Sequence, residues 1–117
     1  PRRSRLWVCE VKDLSFAVSP ATIAQRVNKF LKRKGYVSQL TRAAEGVRAN
    51  PTAAARLVQA PNPEREWQVI PLMITRRVEP AGFSNGLLVS FVVIRDLATA
   101  LKQDVAQPFG HIPVSGA

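Results

Sequence analysis

Cysteine and histidine are nearly absent from this 117-residue chain, which has one of each, Cys9 and His111. His111 lies in a Pro- and Gly-containing stretch with neither residue type near it, so the Cys/His ligand sets that hold zinc are excluded. A lone Cys inside an apolar strand reads as a buried structural thiol in a reducing compartment. No apolar run is long enough to span a bilayer, and no signal-peptide pattern is present. The expectation is a cytoplasmic chain with no membrane partner. Aromatics make up 7% of residues and fall in predicted strands and on apolar arcs, which argues against an exposed base-stacking platform. Carboxylates are scarce, and none precedes Glu10 in the chain. The chain opens on Pro1 rather than Met, with a strand starting within five residues, and reads as beginning at a cut or processed end.

What is abundant is positive charge. Seventeen Lys and Arg against eight Asp and Glu give +9, with a sequence pI near 11.1, and the excess sits in the first half. A small domain this basic commonly meets a polyanion. With 46% hydrophobic residues the chain can bury a core, and its length allows one domain.

The chain is organised around Leu6-Trp7-Val8-Cys9-Glu10-Val11-Lys12. Side chains alternate across a strand, so Leu6, Val8, Glu10 and Lys12 share one face and Trp7, Cys9 and Val11 the other. Both faces begin apolar, as in a strand covered on each side. Glu10 and Lys12 then emerge together at the carboxyl end, where α/β sheets tend to place sites.

After a connector, Ser19-Pro20 combines an N-cap with proline at the first helical position. Ile23, Val27, Phe30 and Leu31 form the apolar arc of that helix; Arg26, Lys29, Lys32 and Arg33 form the opposite one. Lys32-Arg33-Lys34 suits the negative end of the helix dipole, and Gly35 is expected to end the helix. A second helix is expected over about 37–49, with Arg42 and Arg48 outside its apolar arc. Asn50-Pro51 opens a short third one to Val58. Trp67 to Thr75 reads as a second strand, with Pro71 marking an edge or a bulge. A loop with one turn near Pro80–Phe83 leads to a third strand, Leu87 to Ile94. A closing helix capped by Asp96 follows. The expected architecture is α/β, a mixed, mostly parallel sheet of about three strands flanked by helices. It forms one domain over 1–104, and 105–117 is an extended or disordered tail.

Metal-dependent cleavage of a phosphodiester needs carboxylate ligands, a cation near the reacting phosphate and a basic track for the backbone. Glu10 offers one oxygen ligand for Mg²⁺ or Mn²⁺ and the carbonyl of Val11 another. Lys12 would stabilise charge developing on phosphorus. Arg26, Lys29, Lys32, Arg33, Lys34, Arg42 and Arg48 would hold the nucleic-acid backbone, DNA ahead of RNA.

A strand ending Glu10-Val11-Lys12, then a basic helix pair and two more strands, resembles the second half of the PD-(D/E)XK nuclease superfamily, the restriction-endonuclease-like fold. The segment Glu45-Gly46-Val47-Arg48-Ala49-Asn50-Pro51 and the strand Val69 to Thr75 look like a bacterial branch of uncharacterised members. The resemblance spans about residues 5–103 and implies that Glu10 and Lys12 are catalytic and that Gln39, on the second of the expected helices, also points at the site. The family's catalytic Asp lies on a strand preceding Glu-x-Lys, after an opening helix, and neither has a counterpart here. The resemblance therefore implies the carboxyl-terminal part of a nuclease-like domain, inactive alone. Its exposed sheet edge would invite a homodimer. Two other readings stand beside it: a non-catalytic basic module that holds nucleic acid by phosphate contacts, and an assembly domain whose charge serves solubility or an acidic partner.

Overall fold

The computed structural model of the chain describes residues 4–14, 19–83 and 89–102. Three strands, β1 (Ser4–Lys12), β2 (Trp67–Thr75) and β3 (Ser90–Val93), form one sheet in the order β1-β2-β3. Both pairings are parallel, Glu10 lying opposite Met73, Lys12 opposite Thr75, and Thr75 opposite Val93. All three carboxyl ends therefore lie along one edge. The expected tail 105–117, and Leu87 and Leu88 of the expected third strand, lie outside the described residues.

Three helices connect β1 to β2: α1 (Pro20–Leu31), α2 (Tyr36–Ala49) and α3 (Pro51–Leu57). The starts of α1 and α3 follow from their caps. Ser19 Oγ accepts from the Thr22 amide at 3.1 Å and Asn50 Oδ1 from the Ala53 amide at 3.2 Å, each followed by proline. α4 (Leu97–Lys102) follows β3 through a 3-10 turn, Ile94–Asp96, so Asp96 sits inside that turn rather than capping the helix.

Strand alternation sorts the core into two layers. Val8, Met73 and Phe91 pack with Phe30, Val37 and Leu40 of α1 and α2; Trp7, Leu72, Ile74 and Val92 pack with Leu97 and Ala100 of α4. Glu10 and Lys12 share a face with Val8 and so project on the α1/α2 side, past the end of the core.

Three expectations are corrected. β1 is an edge strand, half-buried over Ser4–Val8 and exposed over Cys9–Val11, because short α4 covers the second face of β2 and β3 and leaves the end of β1 bare; β2 is the buried strand. Cys9 is consequently exposed rather than buried. Pro71 is neither in an edge strand nor at a bulge: the β1 pairing runs through it in unbroken register, opposite Val8. Proline is tolerated in this central strand because the β3 pairing begins one residue later, at Leu72.

Gly35 also has a different role. α1 stops at Leu31, and Gly35 is the N-cap of α2, its amide donating to the Lys32 carbonyl at 2.8 Å. A Cβ there would meet the Lys29 carbonyl oxygen at 2.4 Å and that of Phe30 at 2.8 Å. Glycine is required by the close passage of two backbones, which lets the basic turn fold straight into Tyr36.

Candidate functional site

Lys12 Nζ lies 3.2 Å from Glu10 Oε1, and 4.2 Å from the centroid of the Tyr36 ring. Alternation places the two charged side chains on one face, and α2 returns over that face to supply the aromatic. Tyr36 is fixed from behind by Phe30, ring against ring edge-on at 5.0 Å, and Phe30 in turn touches Phe91 at 5.6 Å. The Lys12 side chain is 23% exposed and that of Glu10 46%, so the pair sits at the margin of the core and open to water. A cation over a partly desolvated ring contributes roughly 0.5–2 kcal/mol.

The basic residues divide sharply. Lys29, Lys32, Arg33, Lys34 and Arg42 are exposed, and none has a carboxylate within ion-pair distance among the described residues. Five carboxylates are engaged elsewhere: Asp13 with Arg76, Glu45 with Arg48, Glu64 with Arg56, Glu79 with Arg26 and Asp96 with Arg95. The net charge thus concentrates at the end of α1, the following turn and the first turns of α2. That strip adjoins the strand end, since Tyr36 follows the turn directly and carries Lys12 on its ring.

Two of the expected backbone contacts are placed otherwise. Arg26 turns inward to Glu79 at 2.7 Å, both side chains nearly buried. Arg48 is shared between Glu45 and the carbonyl of Val69, 3.1 Å away, a β2 residue upstream of the β3 pairing. Gln39 is exposed and donates to the Lys34 carbonyl at 3.2 Å, bracing the basic turn, and no hydrogen bond joins it to Glu10 or Lys12. Val11 turns its side chain to the other face, 60% exposed.

As donors for Mg²⁺, the Glu10 carboxylate and the Val11 carbonyl are of the right chemical type, both being oxygens. They are few: no group of three or more His, Cys, Asp or Glu converges among the described residues. Water and substrate oxygens would complete the shell.

Tyr36 and Glu79 escape a reading of the sequence alone. The signal for Glu79 is a single acid among Val78, Pro80 and Ala81, an apolar setting that needs a partner. Tyr36 gives no such signal, since its role depends on α2 folding back over β1. Comparison with protein-family models, curated proteins and solved structures found no match.

Proposed function

We propose that this chain is part of a nuclease-like domain that acts on nucleic acid, DNA ahead of RNA, with Glu10 and Lys12 as half of a metal-dependent phosphodiester-cleaving site. The observation that carries the reading is Lys12, held between the Glu10 carboxylate and the Tyr36 ring beside a basic strip that meets no carboxylate among the described residues. The strip of Lys29, Lys32, Arg33, Lys34 and Arg42 would take the phosphate backbone, giving salt-sensitive and weakly sequence-specific binding. Lys12, released from Glu10 by an arriving phosphate, would stabilise negative charge developing on it. Glu10 would then be free to orient a water molecule or, with the Val11 carbonyl, to hold Mg²⁺ or Mn²⁺. A bound ion would supply Lewis-acid polarisation of the phosphate. The same reading expects a second copy of the chain on the outer edge of β1, which has no strand beside it among the described residues and where Leu6–Cys9 carries no charge.

A second reading is favoured by the thin donor set. With no group of three or more His, Cys, Asp or Glu among the described residues, and Glu10 already paired to Lys12, the surface suits phosphate binding without cleavage.

Labelled DNA and RNA, titrated over a salt series with and without Mg²⁺ or Mn²⁺, separate the two. The longest natural polypeptide containing this chain should cleave with metal and lose cleavage, but not binding, in Glu10→Ala and Lys12→Ala. Binding that ignores metal and yields no cleavage would establish the second reading. Failure to bind at moderate salt would sink both.

A further inference from the structure

We infer that Tyr36 is a positioning residue that seats the Lys12 ammonium for a phosphate, so that strand end and basic turn form one backbone-binding path; this rests on the nucleic-acid reading above. A lysine at the end of an edge strand would ordinarily extend into water. Here the ammonium lies 4.2 Å over a ring whose own position is set by the buried Phe30, edge-on at 5.0 Å. The core, rather than solvent, therefore decides where the charge of Lys12 sits. Gly35 lets the turn that carries Lys32-Arg33-Lys34 pass the end of α1 and run directly into α2 at Tyr36, because its missing Cβ leaves room for the Lys29 and Phe30 carbonyls.

The two partners of Lys12 differ in kind. Glu10 is an exposed anion at 3.2 Å that a phosphate can replace, one anion for another. The Tyr36 ring offers no charge to exchange, so it can stay in contact while the phosphate arrives. A backbone lying along the basic turn would meet Lys12 already placed, and would lose little freedom of that side chain on binding.

The test is a double-mutant cycle on binding of a labelled DNA duplex over a salt series, using Lys12→Ala, Tyr36→Leu and the pair. Lys12→Ala should lower the slope of log K against log salt by about one. Tyr36→Leu should do the same, the double variant no more than either, and Tyr36→Phe or Tyr36→Trp should restore the wild-type slope by restoring the ring. In the free protein, the Lys12 ε-methylene protons should resonate upfield under the ring current and lose that shift in Tyr36→Leu. Additive effects, Tyr36→Phe failing like Tyr36→Leu, or ordinary Lys12 shifts would overturn the inference while leaving wild-type binding intact. Absence of wild-type binding would instead remove the reading on which it rests. The amide spectrum of Tyr36→Leu distinguishes a lost seat from a lost fold, and Tyr36→Trp carries the test if Tyr36→Leu unfolds.

Discussion

Arg26 on α1 and Glu79, 53 residues later, meet at 2.7 Å with both side chains nearly out of solvent. Glu79 also accepts from the Ala81 amide at 3.4 Å, so the pair ties α1 to the 3-10 turn that follows β2. A buried charge is tolerated only with its partner, and removing one side leaves the other stranded. Glu79→Ala should lower stability by about 3–5 kcal/mol, whereas Arg26→Met combined with Glu79→Leu should fall within about 1 kcal/mol of wild type or exceed it. Urea midpoints at constant m-value decide the matter. Equal losses in the single and double variants would show that the pair is not the source.

Gly35→Ala forces a methyl group against the Lys29 and Phe30 carbonyls at the end of α1. Those are backbone atoms and yield little, so a loss of about 2–3 kcal/mol is expected. In a domain of this size the melting temperature should drop by roughly 8–15 °C. An unchanged thermal transition would mean that the turn can open freely.

Replacing Lys32, Arg33 and Lys34 together by Ala removes three exposed charges that no carboxylate meets among the described residues. If they contact phosphates, the salt slope of DNA binding should fall by about 2.7. Stability should change little, since such surface positions typically shift it by under about 0.5 kcal/mol each. A preserved slope would place the nucleic acid elsewhere.

Cys9 is exposed as a residue, yet the protein surrounding its sulfur is enough to push the thiol above its ordinary value by desolvation. Exposure decides that a reagent reaches it; desolvation decides how little thiolate it finds. Modification by a disulfide reagent should proceed to completion but climb with pH through a midpoint above that of a small-molecule thiol. The sign for stability follows: a pKa raised on folding contributes fully below the unfolded value and is lost as pH rises through the folded one. A midpoint at or below the free thiol's would contradict the desolvation.

Much of the architecture was legible because it depends on local rules. Ser19-Pro20 and Asn50-Pro51 announced two helix starts, and the apolar run from Trp67 to Thr75 matched β2 residue for residue. The shared face of Glu10 and Lys12 also followed from alternation alone. What local rules could not give was coverage. The apolar Leu6–Cys9 stretch looks like a strand buried on both sides, but which strand lies at the centre depends on pairing order and on how far α4 reaches. The basic arc of α1 likewise looked uniform. Arg26 left it for Glu79 because that acid arrives from a loop distant in sequence, while Lys29, Lys32 and Arg33 meet no carboxylate among the described residues.

By itself the sequence determined the alternation of strands and helices, the excess of cations near the end of α1 and the shared face of Glu10 and Lys12, since each follows from residue type and spacing. Only the tertiary structure decided which cations pair with a carboxylate among the described residues, which strand is the edge, and that Tyr36 lies beneath Lys12. Those depend on segments far apart in the chain meeting at a few ångströms, and no periodicity within one segment encodes such a meeting.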